Sequence, residues 1–151
     1  MKFLLLMICS GWFCLLPAWT QTPKPLPSLP PKLEAVAETK LLMEGIALPN
    51  LEGVNKILKE KPDLAGWQFA RGQSLLIAEN GNLLMLRPPK SKTGQEVWMT
   101  RSSEMREMAT LLARSIADKD LEKSRTNLAA LTRTCNKCHE NFRVDAKIKL
   151  D

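Results

Sequence analysis

Three residues near the C-terminus have types and spacing suited to cofactor chemistry: Cys135, Cys138 and His139. With Asn and Lys between the cysteines they form Cys-x-x-Cys-His, the attachment pattern of a c-type haem. On a helix, positions three and four residues apart share one face, so the three side chains would lie together. The two thiols can then bind the haem vinyl groups while the imidazole reaches the iron from the same side. The motif predicts one covalently bound haem c with His139 as proximal iron ligand.

Residues 1–20 have the layout of a secretory signal peptide, with Lys2, an apolar segment to Leu16, and the small or polar residues Ala18 and Thr20 at a cleavage spacing. The apolar segment is shorter than the about 20 residues that a membrane-spanning helix needs. We therefore predict a bacterial protein exported to the periplasm, with no stable membrane span after cleavage. Retention of the segment as an uncleaved anchor is the alternative.

Other chemistries are compatible with the cysteines. A structural zinc site needs four ligands, and Cys9 and Cys14 would leave with the signal peptide, so a carboxylate or a second chain would have to contribute. A thioredoxin-like pair belongs near a βαβ pattern, and no strand pattern is evident. A Cys135–Cys138 disulfide suits an exported protein but leaves the neighbouring histidine unexplained. Covalent haem accounts for all three residues.

Composition limits the rest of the chain to one ordinary domain. The 151 residues are 44% apolar and 25% charged, values typical of a globular protein of this size. Residues 21–32 contain five prolines, which excludes helix or sheet and favours an extended linker. Residues 33–151 are the predicted cytochrome domain. A single histidine excludes two-histidine metal sites, and 5% aromatic residues offer little for stacking on nucleic acid.

After the linker, apolar residues recur at helical spacing and strand-like alternation is absent. We predict an all-α, four-helix bundle with short connections. The first helix starts at Leu33 and is interrupted or kinked at Pro49, and Asp63 caps the second helix. A break is possible at Asn80-Gly81. The predicted inward positions are Leu33, Val36, Met43 and Ala47 in the first helix; Trp67, Ala70, Ser74, Ile77 and Leu84 in the second; Trp98, Met105, Met108, Leu112 and Ile116 in the third; and Leu121, Leu128, Cys135 and Phe142 in the fourth.

A haem motif near the C-terminus of a helical bundle resembles the class II c-type cytochromes, the cytochrome c′ family. Class I cytochromes carry the motif near the N-terminus. The resemblance covers about Leu33 to Val144, and its most specific part is residues 135–143, including the aromatic–arginine pair Phe142-Arg143. It implies an antiparallel four-helix bundle with the haem attached to the C-terminal helix.

The resemblance also implies haem contacts outside the motif. The distal side of the haem faces the first helix in this family, and low-spin members supply a methionine there, for which Met43 is the match. Lys40, one turn earlier, matches the place of a propionate-binding residue that is usually arginine. Arg143 would lie beside the proximal face, and Trp67 could pack on the ring. Each has an ordinary alternative, because Met43 and Trp67 suit a core and Lys40 and Arg143 suit a surface.

Two functions follow from these expectations. In the first, the protein is an electron carrier and not an enzyme, with His139 and Met43 as axial ligands; such ligation raises the reduction potential. In the second, the iron is five-coordinate and binds NO or CO for sensing or detoxification. A peroxidase-like enzyme is disfavoured because no second histidine is available on the distal side.

The charge pattern predicts an acidic redox protein as partner. The net charge is +6, and residues 119–149 contain eight basic and four acidic side chains. Such a bias on the haem-bearing helix attracts a negatively charged surface, although a merely solvated charged face fits equally well. Nucleic acid is not expected as a partner. The family resemblance implies antiparallel homodimers, but the sequence identifies no dimer face.

Overall fold

Four helices and no strand are present among residues 32–150, the part of the chain that the computed structural model describes. We name them α1 (residues 39–58), α2 (Leu64–Met85), α3 (Lys92–Ala117) and α4 (Leu121–Asn141). The segments between the helices are short, which makes consecutive helices antiparallel neighbours, and α1 also packs on α4. The prediction of an all-α four-helix bundle is confirmed. The predicted signal peptide and nearly all of the proline-rich linker lie outside the described residues.

Helix α1 is not a uniform α-helix. It comprises α-helical Thr39–Leu42, a π-helical turn at Met43–Ala47, and α-helical Leu48–Leu58. Pro49 has no backbone N–H and its ring crowds the carbonyl four residues earlier, so we attribute the widened turn to this proline. π-Helical turns are frequent at functional sites, and this one begins at Met43.

The other helices begin at side-chain caps. Asp63 accepts a hydrogen bond from the Gly66 amide at 2.7 Å, as predicted, and Asp120 accepts one from the Lys123 amide at 3.0 Å. Ser91 caps α3 in the same way. Each cap satisfies an amide that the first helical turn leaves without a partner, which stabilises a helix by about 1 kcal/mol. The caps fix where α2, α3 and α4 start, and so which residues face the interior.

The core consists of the predicted inward positions in most cases. Its fully buried members come from every helix: Val54 and Leu58, Ala70 and Ile77, Ala109, Leu112 and Ile116, and Leu131. Toward one end of the bundle the core gives way to a cavity. That cavity is bordered by the N-terminal half of α1 and the C-terminal half of α4.

Two sequence expectations about the helices are wrong. Residues 32–38 are not helical, and Leu33 and Val36 are 79% and 93% exposed. The segment contacts the bundle only further on, at Ala37, whose carbonyl accepts a hydrogen bond from Arg87 Nε at 2.6 Å. Asn80-Gly81 does not break α2. Asn80 is fully buried and donates a hydrogen bond to the Leu42 carbonyl of α1 at 3.4 Å, and a Cβ at Gly81 would lie 2.9 Å from the Ser102 carbonyl oxygen of α3. The pair serves close helix packing rather than a turn.

Candidate functional site

An apolar cavity of about 590 Å³ lies between the four helices and the residues that follow α4. This volume is within the range of about 300–1,000 Å³ typical of small-molecule and cofactor sites. Its wall includes Cys135, Cys138 and His139 of α4 and Met43 of α1. Helix α2 contributes Ile77 and Leu84, and α3 contributes Trp98, Arg101, Ser102 and Met105.

Helix α4 brings the three motif residues to this cavity. Leu128 and Leu131 are buried two turns and one turn before Cys135, and the seven-residue spacing from Leu128 carries Cys135 and Phe142 along the same face. Phe142 packs edge-on against Trp98 with ring centroids 5.1 Å apart, which fixes the C-terminal end of α4 against α3. Among the described residues, both cysteines have free thiols. The face predicted from the spacing therefore points to an open, apolar space.

Both thiols lie in surroundings that disfavour the thiolate. Burial, and secondarily the neighbouring Cys138, raises the pKa of Cys135 to about 12. Burial also raises the pKa of Cys138, while the positive charge of Arg101 acts in the opposite direction. Desolvation penalises the charged form of a buried group. For both thiols, burial in the cavity wall is the main cause of the raised pKa.

The His139 imidazole has a defined hydrogen-bond partner. Its Nδ1 lies 2.6 Å from the carbonyl oxygen of Ala146, in the segment after α4. A carbonyl oxygen only accepts, so Nδ1 must carry the proton and donate. The neutral tautomer then keeps its lone pair on Nε2, the nitrogen that is free to bind a metal.

Met43 and Lys40, the two residues expected from α1, both border the cavity. Met43 is half-buried and packs against the core, at the first residue of the π-helical turn. The Lys40 side chain is 78% exposed and forms an ion pair with Glu44 at 3.6 Å. The ammonium is therefore at the rim of the cavity, and its ion pair is an ordinary solvent-screened surface pair.

Arg101 is a cavity residue that the sequence analysis missed. Its side chain is only 14% exposed, and it is paired with Glu104 in the next turn of α3. The Arg101 Nε is buried and has no hydrogen-bond partner. Leaving a buried donor unpaired costs about 1–3 kcal/mol, so this nitrogen is suited to receive an acceptor from a bound molecule.

Arg143 and Trp67 are not part of the cavity wall. Arg143 is exposed at the end of α4 with a φ of 53°, the placement of a surface arginine. Trp67 is buried in the core at 6% exposure. It lies ten residues before Ile77, the first α2 residue on the cavity, which is about 15 Å along a helix. Trp67 does not border the cavity, and its contact with a haem stays a prediction that the core position does not favour.

The residues present fit a haem. The cavity is apolar, as a porphyrin face requires, and two thiols and an imidazole with its lone pair on Nε2 border it on one side. A haem also carries anionic carboxylates, for which Arg101 supplies a buried donor without a partner and Lys40 a charge at the rim. The volume of the cavity, its apolar wall and its donor residues all match what a haem requires.

A four-helix bundle with Cys-x-x-Cys-His on its last helix, facing an apolar cavity, defines the helical c-type cytochromes. The family model for cytochrome C' matches residues 49–143 of the chain. The chain belongs to the cytochrome c′ family, and the predicted family resemblance is confirmed. It is a haem c cytochrome. The match includes the motif, and because it begins at residue 49 it does not include Met43 or Lys40. Comparisons with curated proteins and with solved structures give no significant match.

Proposed function

We propose that the protein is an electron carrier in which His139 and Met43 are the two axial ligands of one haem. The observation that carries this proposal is that the chain's single histidine and a methionine from another helix border the same apolar cavity. When bound, the haem supplies one-electron Fe(III)/Fe(II) chemistry. The chain's part is to hold both ligands and to exclude water, and His/Met ligation raises the reduction potential.

Cys135 and Cys138 hold the macrocycle in this proposal through thioether bonds. Each S–H adds across one vinyl C=C bond, so that a C–S bond forms and the hydrogen is taken up by the other vinyl carbon. Attachment at two points one turn apart fixes the ring relative to α4, and therefore relative to His139. When a haem is bound, Arg101 and Lys40 would receive its carboxylates, and the cavity residues Ile77, Leu84 and Met105 would keep the ring out of water.

A five-coordinate, gas-binding haem is the second candidate. The observation that favours it is that Ala47, Leu48 and Leu51 of α1 also border the cavity. None of these side chains can bind iron. If they, rather than Met43, faced the metal, the distal position would be a dry apolar space suited to NO or CO.

Absorption spectra of the purified haem protein distinguish the two candidates. We expect a low-spin oxidised spectrum with a weak long-wavelength Met-to-iron charge-transfer band, and a reduced spectrum that CO changes little at stoichiometric concentration. These results reflect a filled sixth position. A high-spin oxidised spectrum, together with rapid CO binding by the reduced protein, would contradict electron transfer through a Met-ligated iron and support the gas-binding candidate.

The proposed location is the periplasm. Members of the cytochrome c′ family are typically periplasmic, and residues 1–20 have the pattern of a signal peptide. In residues 32–150, no helix combines the length and the apolar character that crossing a membrane requires. Haem attachment and the redox partner are therefore placed outside the cytoplasm in this proposal.

The proposed partner is an acidic redox protein that docks near the motif. Lys137 lies within the motif and Lys147 follows α4, and both are exposed. Exposed charges are screened by salt over about 10 Å at 0.1 M, and charge steering raises association rates. We expect the rate of reduction by an acidic flavodoxin to fall as ionic strength rises. This dependence should weaken in Lys137→Glu/Lys147→Glu.

The matched control is Lys56→Glu, which removes an exposed lysine from the part of α1 beyond the cavity. Stopped-flow rates at several salt concentrations should show the wild-type salt dependence in this control. Equal salt dependence in wild type and both variants would identify the basic face as a merely solvated surface.

A further inference from the structure

The chain reverses direction immediately after the haem-bearing helix. Helix α4 ends at Asn141, and Arg143 adopts a left-handed backbone with φ of 53°. The Val144 amide donates back to the His139 carbonyl at 2.9 Å. A left-handed residue after a helix closes its last turn, and arginine adopts this conformation only where surrounding contacts compensate for it. We call the segment that follows, residues 144–150, the C-terminal strap.

The strap returns along α4 and is attached at defined points. Asn136 donates from Nδ2 to the Ile148 carbonyl at 2.9 Å and accepts from the Ile148 amide at 2.8 Å. The Asn136 side-chain amide thus donates to and accepts from the backbone of one residue, as a neighbouring strand does in a β-sheet. Ile148 and Leu150 are half-buried against the hydrophobic core. Because Ala146 pairs with His139 and Ile148 pairs with Asn136, the strap runs antiparallel to α4.

The strap also supplies the partner of the His139 ring, the Ala146 carbonyl oxygen at 2.6 Å from Nδ1. Val144, Asp145, Ala146 and Ile148 form part of the cavity wall. We infer that the strap orients the axial histidine: it fixes the tautomer and ring orientation of His139, and Asn136 is the positioning residue that anchors it. This inference rests on the proposed ligation of the haem iron by His139.

A hydrogen bond from the second ring nitrogen changes the ligand as well as its orientation. Donation from Nδ1 to a carbonyl oxygen makes the imidazole a stronger base at Nε2. A more basic ligand favours Fe(III) over Fe(II), because the oxidised iron carries more positive charge. Release of the strap should therefore raise the reduction potential, and it should also expose the Nδ1 proton to exchange with water.

The test is Asn136→Ala in the haem-loaded protein, with Thr126→Ala as the control. Thr126 is an exposed, uncharged residue of the same helix that does not border the cavity. We expect Asn136→Ala to raise the midpoint potential and to accelerate exchange of the His139 Nδ1 proton, measured by NMR, by at least about tenfold, the change that corresponds to about 1.4 kcal/mol. Thr126→Ala should leave both values unchanged.

Two further variants exclude a general loss of folding. Asn136→Asp keeps an acceptor for the Ile148 amide and loses the donor to the Ile148 carbonyl, so its values should be intermediate. Truncation after Val144 should reproduce or exceed the effect of Asn136→Ala. Wild-type potential and exchange rate in Asn136→Ala and in the truncated protein, with His139 ligation intact, would overturn the strap inference alone. A wild-type spectrum without histidine ligation would overturn both the strap inference and the proposed function.

Discussion

Replacing both Cys135 and Cys138 by alanine will produce a protein that loses essentially all of its haem under denaturing conditions, whereas the wild type retains it. Only a covalent bond keeps a cofactor on an unfolded chain, since denaturation removes the apolar cavity and the axial contacts together. The two thiols lie on the cavity wall, and the described residues contain no other cysteine that could form a thioether bond in their place. The measurement is haem content after acid–organic extraction, compared with haem staining on a denaturing gel.

The single variants and a surface control make this expectation specific. Cys135→Ala and Cys138→Ala should each keep haem through one remaining thioether, with a reduced absorption band shifted relative to the doubly attached form. Thr126→Ala, on an exposed position of the same helix, should behave like wild type. Haem that survives extraction in the double variant would show that the cysteines are not the attachment points.

The row of residues along α4 was predictable because its spacing determines a helical face. Leu128 and Cys135 are seven residues apart, and such positions return to nearly the same side of a helix. The burial of Leu128 and Leu131 confirms the predicted inward face of α4. The haem motif continues along this face toward the C-terminus. The chemistry of the site was therefore readable wherever it depended on side chains within one helix.

The sequence-based expectations were wrong where the structure depends on contacts with another element, because the local residue pattern does not reveal those contacts. Leu33 and Val36 have helical spacing but lie before the first helix and remain exposed, so spacing alone did not identify buried positions. Asn80-Gly81 suggests a turn by residue type, yet close packing with α1 and α3 requires both residues within a helix. A short sequence pattern carries no information about how near a neighbouring helix will come.

Arg101 and the C-terminal strap were missed for different reasons. Arg101 lies three residues after Trp98 and four before Met105, so it occupies the inward stripe of α3; the argument applied to Lys40 would have found it. The contact of the strap with His139 is made by a backbone carbonyl. Any residue at Ala146 would present the same oxygen, and no side-chain signature for this contact exists.

Met43→Ala is expected to convert the low-spin, six-coordinate haem to a high-spin form that binds CO. CO can bind only while the methionine is off the iron, so the apparent CO affinity is reduced in proportion to the fraction of protein in that open state. If the methionine occupies the iron about 99% of the time, its removal raises the apparent CO affinity about 100-fold. The reduction potential should fall, because thioether ligation favours Fe(II). Optical spectra and CO titration of the reduced protein measure these changes.

The controls separate ligation from packing. Met43→Leu nearly conserves volume and should cost less than about 1.5 kcal/mol of stability, yet it removes the sulfur and should give the same spectral change as Met43→Ala. Met99→Ala, at a position 42% exposed and away from the cavity wall, should keep the wild-type spectrum.

Met105→Ala tests the buried methionine that also borders the cavity. A low-spin spectrum retained in both Met43 variants and lost in Met105→Ala would transfer the ligand role to α3. A high-spin wild type that neither substitution changes would instead identify the open, gas-binding site, because the distal position would then hold no protein ligand to remove.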